Sequence, residues 1–203
     1  MEELIDMANL YLVSAKNLAE ESDNQENFLD KPLACIMLSC SAAEAFINQV
    51  IYFLSKTKEL RFLDKDNILN DNYEYQRKNE LTLKWNFIGN LLLGEKWNTN
   101  SSEMNEFKLL LQLRNEMVHF KINGFDQVVP KNDKEPEFVK KLSKKVKFNE
   151  IPHSWVLRIL SPTLAKWCVK VIEDLINHFK DLYNKERING KLEIKLWRLS
   201  KCE

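Results

Sequence analysis

Leu109-Leu110-Leu111-Gln112-Leu113-Arg114-Asn115-Glu116-Met117-Val118-His119-Phe120 decides how this chain is read. It is an apolar run that reads as a helix, yet it carries an arginine, an asparagine and a histidine. At 100° per residue Asn115 and His119 lie one turn apart on one face, with Gln112 beside them. Arg114 falls elsewhere, in line with Phe107, Leu111 and Val118, so it is flanked by apolar neighbours rather than by a solvated stripe. In a regular helix Arg114 and His119 are roughly 140° apart around the axis and about 7.5 Å along it. Two side chains so placed do not grip one atom from a single straight helix. They converge where the helix bends or ends, or where a second copy of the chain supplies the other half.

Outward from this run the pattern is helical on both sides. Toward the N-terminus, Glu2 to Glu21 reads as an amphipathic helix with Leu4, Ala8, Leu12, Ala15 and Ala19 on one face, and Glu2, Glu3 and Asp6 suit its dipole. Pro32 opens a long helix to about Lys56, with Asp30 as the candidate cap. Leu33, Ile36, Met37, Cys40, Ala43, Ile47, Val50, Ile51 and Leu54 make that helix apolar almost all round, which places it at the centre of a bundle. Within it, Glu44 sits among Ala42, Ala43 and Ala45. A carboxylate buried there needs a partner or takes up a proton. Arg114 has the complementary problem and is the expected partner, either as a structural pair or as support for a site.

Residues Arg61 to Arg77 are polar and mixed. A shorter helix is expected from about Asn79 to Leu93, with Leu81, Trp85, Ile88, Leu91 and Leu92 apolar and Gly94 ending it. Ser102 begins the motif helix. Beyond Lys121 the helical pattern stops, Asn123-Gly124 signals a turn, and Phe125 to Val129 reads as a short strand before Pro130. A basic helix is expected over Glu135 to Lys147, anchored by Phe138, Val139, Leu142 and Val146. Ser161-Pro162 starts the last long helix, which runs through Leu164, Trp167, Cys168, Val171, Leu175 and Phe179 to about Tyr183. Lys191 to Trp197 alternates with period two and reads as a strand that has to pair with Phe125–Val129 or with another copy. The expectation is an all-α, up-and-down helical bundle of about five main helices. It forms one domain over residues 1–203, with a lysine-rich insert at about 122–150 and a C-terminal extension, strand or hairpin, at about 186–203.

Composition narrows the function. The 203 residues carry no net charge, which argues against coating nucleic acid by bulk electrostatics. The zero hides an asymmetry: Met1 to Asp30 holds eight acids and one lysine, whereas Lys121 to Asn149 holds eight lysines and four acids. The basic stretch, with Lys140, Lys141, Lys144 and Lys145 at its centre, reads either as solvated surface or as a docking strip for a polyanion. Cys35, Cys40, Cys168 and Cys202 show neither C-x-x-C nor metal-ligand spacing, and buried thiols suit a reducing, cytoplasmic setting. No stretch is read as a signal peptide or as long and apolar enough to span a bilayer, so no membrane partner is expected.

No Gly-rich phosphate loop, H-E-x-x-H, G-x-S-x-G or cysteine–histidine signature is present. Of the three histidines, His153 and His178 read as surface or helix-end residues, and His119 stands out because Arg114 and Asn115 share its helix. Leu113-Arg114-Asn115-Glu116-Met117-Val118-His119-Phe120 resembles the Arg-Asn-x-x-x-His signature of the HEPN superfamily, all-α domains that include many metal-independent ribonucleases. Ala42-Ala43-Glu44-Ala45-Phe46-Ile47-Asn48 is similar to that family's second helix. The resemblance covers roughly Met1 to Lys121 and, by position, the last long helix; the insert and the terminal strand lie outside it. It implies a homodimer that brings two motifs together around a cleft. It also implies RNA as partner, no cofactor or metal, and an antitoxin or nucleotidyltransferase as protein partner. Arg114, Asn115 and His119 become the catalytic candidates, with Glu44 in support. RNA carries its own nucleophile, the 2′-hydroxyl, and a histidine near neutrality can move its proton or protonate the leaving 5′-oxygen. The expected activity is endoribonucleolytic, leaving 2′,3′-cyclic phosphate ends, in a toxin or phage-defence setting. The alternative is a non-catalytic helical module that binds a nucleotide or a protein, because a fold alone does not fix function.

Overall fold

A helix that is apolar on nearly every side has to be surrounded, and the computed structural model meets that demand. It describes residues 6–23, 29–55, 80–118, 136–150 and 155–188, and every regular element among these is helical. In chain order they are α1 (Met7–Glu21), α2 (Asp30–Ser55), α3 (Leu81–Leu93), a 3₁₀ turn at Gly94–Lys96, α4 (Ser102–Val118), α5 (Glu137–Leu142), α6 (Trp155–Ile159) and α7 (Pro162–Ile188). Helix α2 is covered by α1 and α7, and further by α3 and α4. Ile36, Ala43, Ile47, Val50, Ile51 and Leu54 lose all contact with solvent there, whereas Leu33 is exposed. By length and composition α2 is apolar enough to cross a membrane, which corrects the expectation that no stretch qualifies. More than half of that span is buried inside the fold, so its apolarity is accounted for by packing.

Long polar side chains record the helix directions. Lys31 Nζ donates to the Glu21 carbonyl at 3.2 Å, Cys35 Sγ to the Ala15 carbonyl at 3.3 Å, and Gln49 Nε2 to Asp6 Oδ1 at 3.3 Å. Rising numbers on α2 meet falling numbers on α1, so the two are antiparallel. Lys16 with Glu173, and Lys166 with Asp23 at 2.6 Å, set α7 antiparallel to α1 in the same way. Ala8, Ala15 and Ala19 are buried on α1, and their small side chains let its backbone approach its neighbours. The helix starts later than its sequence pattern suggests. Asp6 is its N-cap, accepting from the Asn9 amide at 3.0 Å, and Leu4, Glu2 and Glu3 lie outside the described residues.

An aromatic cluster ties the remaining helices to α2. Trp85 of α3 stacks on Phe46 of α2 at 5.5 Å and on Trp97 at 6.2 Å, and meets Phe107 of α4 and Phe179 of α7 edge-on. Such pairs contribute about 0.5–1.5 kcal/mol each beyond the area they bury. Gly89 makes the stack possible, because a Cβ at that position would lie 2.4 Å from the Trp97 ring. Gly94 ends α3 as expected, with φ of +55°. Ser101 caps α4 one residue earlier than Ser102 suggested, its Oγ accepting from the Met104 amide at 3.3 Å. Ser161 caps α7 as expected, and α7 continues beyond Tyr183 to Ile188. This extra turn buries Glu186 against Lys96, two charges with no role in the apolar pattern.

The lysine-rich segment differs from its expected form. Helix α5 covers only Glu137–Leu142, and the chain then turns, with Ser143 Oγ donating to the Lys140 carbonyl at 2.9 Å. Phe138, Val139, Leu142 and Val146 are buried in the main core, so the segment is docked rather than merely appended. Helix α6 has no counterpart in the sequence reading. Asn149 holds it, with Nδ2 donating to the Leu160 carbonyl at 2.7 Å and its amide to the Arg158 carbonyl at 2.8 Å. The two expected strands, Phe125–Val129 and Lys191–Trp197, lie outside the described residues.

Two outcomes follow from this packing. Gly89→Ala should destabilise the fold by about 1–3 kcal/mol, read as a lower urea midpoint, since the Trp97 ring has to shift; an unchanged midpoint would contradict the close approach. Burial pushes the Cys35 thiol up to about 11 and the Cys40 thiol up to about 12, and it also raises the Cys168 thiol well above its ordinary range. Ellman's reagent at pH 8 should therefore leave these three unmodified in the folded chain and modify them after denaturation. Rapid modification of any of them in the native state would contradict their placement.

Candidate functional site

The last two turns of α4 pass from core to solvent. Leu110 and Leu113 are fully buried, Leu111 and Met117 partly so, and Gln112, Asn115 and Glu116 are exposed. The stripe of Phe107, Leu111, Arg114 and Val118 follows the same gradient, from a ring with no solvent contact to a valine that is 50% exposed. Arg114 therefore sits half-buried at the boundary, where an aliphatic stem can lie on apolar surface while its head reaches water. Its Nη1 donates to Asn115 Oδ1 at 3.0 Å. The asparagine thus fixes the guanidinium of its own neighbour, a role that sequence spacing did not assign to it.

Glu44 departs from expectation in two ways. Its side chain is 47% exposed rather than buried, and its carboxylate pairs with Lys84 instead of Arg114. Lys84 Nζ lies 3.3 Å from Glu44 Oε1 and 3.4 Å from Asn48 Oδ1, and the lysine side chain is 1% exposed. The physical reason is the lysine's greater need. An ammonium removed from water has to be met by a carboxylate, whereas a guanidinium at the surface keeps part of its hydration. Lys84 was legible in principle: it falls in helical phase with Leu81, Ile88 and Leu91, a charge on the apolar stripe of α3.

Arg114 and Glu44 form no ion pair with each other among the described residues. Both act on the thiol of Cys40, one turn before Glu44 on α2: burial raises that thiol, Arg114 lowers it and Glu44 raises it again. Among the described residues no carboxylate pairs with Arg114. The end of α4 therefore presents a guanidinium with no carboxylate partner among the described residues and an exposed amide that holds it.

His119, the remaining member of the motif, lies outside the described residues, as does His153. His178 is half-buried on α7, with its ring 6.1 Å from that of Trp97, and it helps Glu103 stay below the usual carboxylate range, after the larger effect of a backbone amide. Glu103 and Arg114 are about 16 Å apart along α4 at 1.5 Å per residue, so His178 belongs to the other end of that helix. The four candidate lysines divide. Lys145 is bound to Glu106 on α4, whose other oxygen accepts from Trp167 Nε1 at 3.0 Å, and Lys141 pairs with Glu137 at 3.4 Å. Lys140 and Lys144 are exposed and carry no ion pair among the described residues. The Lys145–Glu106 contact brings this segment against α4, about 12 Å along the axis from Arg114.

Comparison of the chain with known protein families, with curated proteins and with solved structures finds no match.

The Lys84–Glu44 pair makes an asymmetric prediction. Glu44→Ala leaves a buried ammonium with one partner fewer and should cost about 1–3 kcal/mol, less than for a fully buried pair because Glu44 is half in water. Lys84→Met, which replaces the charge with an apolar chain of similar length, should cost less or nothing. Thermal denaturation of the two variants decides it, and equal losses would contradict the assignment of Lys84 as the group in need.

Proposed function

We propose that this chain is a metal-independent endoribonuclease of the HEPN type, with Arg114, Asn115 and His119 as its reacting and binding groups. One observation carries the reading: Arg114 is half-buried, oriented by Asn115 and paired with no carboxylate among the described residues. A guanidinium held in place without an anion is a ready receptor for one, and its planar fork matches two phosphoryl oxygens. In cleavage the 2′-hydroxyl oxygen attacks the adjacent phosphorus, the bond to the 5′-oxygen breaks, and a 2′,3′-cyclic phosphate and a 5′-hydroxyl result. Arg114 steadies the negative charge that gathers on the phosphoryl oxygens. His119, one turn beyond Asn115 in sequence, supplies or removes the proton.

In this reading the helices form an up-and-down bundle of about five main members. Two copies join so that both motifs line one cleft, which meets the roughly 140° separation of Arg114 and His119 around a straight helix. Lys140 and Lys144 offer phosphate contacts to RNA beyond the scissile bond. A toxin or phage-defence role in the cytoplasm, with an antitoxin or nucleotidyltransferase partner, belongs to the same proposal.

The test is incubation with several RNAs in the presence of EDTA. The parent protein should cleave, with cyclic-phosphate ends identified by mass spectrometry. Arg114→Ala and His119→Ala should each lose about 10²-fold or more while keeping a native melting curve. No cleavage by the parent, with RNA or nucleotide binding retained, would instead favour a non-catalytic binding module.

A further inference from the structure

From Phe138 to Asn149 the chain carries five lysines and no acid, in a molecule whose charges otherwise balance. Four surface lysines elsewhere each meet a carboxylate: Lys16 with Glu173, Lys31 with Glu21, Lys166 with Asp23 and Lys170 with Asp174. On this segment only two do, among the described residues. Lys145 is bound to Glu106, and Lys141 meets Glu137 at 3.4 Å with both side chains largely in water, where such a pair contributes little. Lys140, Lys144 and Lys147 are exposed and carry no ion pair among the described residues. We propose that Lys140, Lys141, Lys144 and Lys147 form a phosphate-binding surface that holds single-stranded RNA by its backbone, whatever its sequence and without help from Arg114. The inference takes its ligand from the proposed function and adds a second place of attachment, one that does not depend on the reacting groups.

The lysines stand on a fixed backbone. Phe138, Val139, Leu142 and Val146 are buried beneath them, and the turn after α5 is closed by the Lys145 and Val146 amides, which donate to the Leu142 carbonyl at 2.9 and 3.1 Å. Ser143 Oγ donates to the Lys140 carbonyl at 2.9 Å, and Thr163 Oγ1 to the Lys147 carbonyl at 2.6 Å. Glu106 secures the turn to α4 through Lys145, while its other oxygen accepts from Trp167 Nε1. A segment docked in this way keeps its remaining lysines together on its solvent side. The chemistry of that side selects the kind of anion. Every apolar residue from Phe138 to Val146 is buried, so the face offers charge with no apolar centre. Protein interfaces are depleted in charge at their centre and place aromatic or apolar anchors there, whereas a phosphate backbone asks only for cations and hydrogen-bond donors.

The probe is a short 2′-O-methyl oligouridylate, which lacks the attacking hydroxyl, with binding followed by fluorescence anisotropy as salt is raised. The four lysines should contribute about −3 to the slope of log Kobs against log salt. Lys140→Gln, Lys144→Gln and Lys147→Gln together should make that slope shallower by about 2, whereas the three matching Lys→Arg changes should keep it. Lys145 is left in place because it secures the segment. Lys16→Gln, Lys166→Gln and Lys170→Gln together, the same loss of charge on α1 and α7, should leave the slope unmoved. A parent-like slope in the first variant, or an equal fall in the α1–α7 variant, overturns the inference and leaves the Arg114 site untouched. Binding of polyglutamate or of phosphatidylserine vesicles as tightly as the oligonucleotide, lost in the first variant, overturns it in favour of an acidic protein or a membrane. An Arg114→Ala variant that cleaves like the parent, with the lysine-dependent slope intact, removes the reacting site and upholds the lysine surface.

Discussion

A lysine ammonium taken out of water needs a carboxylate or other acceptors to keep its charge, and that constraint joins α3 to α2 in this molecule. Lys84 is enclosed by α3 and its neighbours, and the carboxylate it draws on is Glu44 of α2. Arg114, at the end of α4, has the Asn115 amide oxygen as its partner and pairs with no carboxylate among the described residues.

The packing holds the three helices in the positions that make this possible. Trp85 follows Lys84 directly in sequence and is the centre of the aromatic stack, facing Phe46, Trp97, Phe107 and Phe179 from α2, the turn region, α4 and α7. A ring locked on several sides fixes the phase of α3, and the phase of α3 fixes where Lys84 points. Phe46 lies two residues beyond Glu44 on α2, and Phe107 lies two turns before Arg114 on α4. The same cluster that supplies much of the apolar burial therefore also sets the distances among the charges. Small residues take part in it: Gly89 admits the Trp97 ring, and the alanines of α1 let α2 be enclosed from the other side.

Much of the helical order was legible from periodicity and caps. The apolar surround of α2, the Gly94 stop, the Ser161 cap and the anchoring of the lysine-rich segment by Phe138, Val139, Leu142 and Val146 all follow from local rules that act within a turn or two. What was not legible depended on contacts between helices. The sequence pairs Glu44 with Arg114 because each lacks a partner on its own helix, whereas the carboxylate is claimed by Lys84, a charge in phase with Leu81 and Ile88. Helix α6 is five residues long and held by Asn149 from outside its own sequence, so no local pattern announces it. The extra turn of α7 is polar by composition and persists because Glu186 finds Lys96 across the fold.

Phosphate recognition by this chain requires that the Arg114 guanidinium, held by Asn115, be open to an anion. Side-chain ¹⁵N NMR of the arginines during titration with inorganic phosphate addresses that directly in the native chain. The account predicts a saturable shift of the Arg114 Nε and Nη resonances, with those of Arg158 and Arg187 unmoved. An Arg114 signal that stays still through the titration would contradict it.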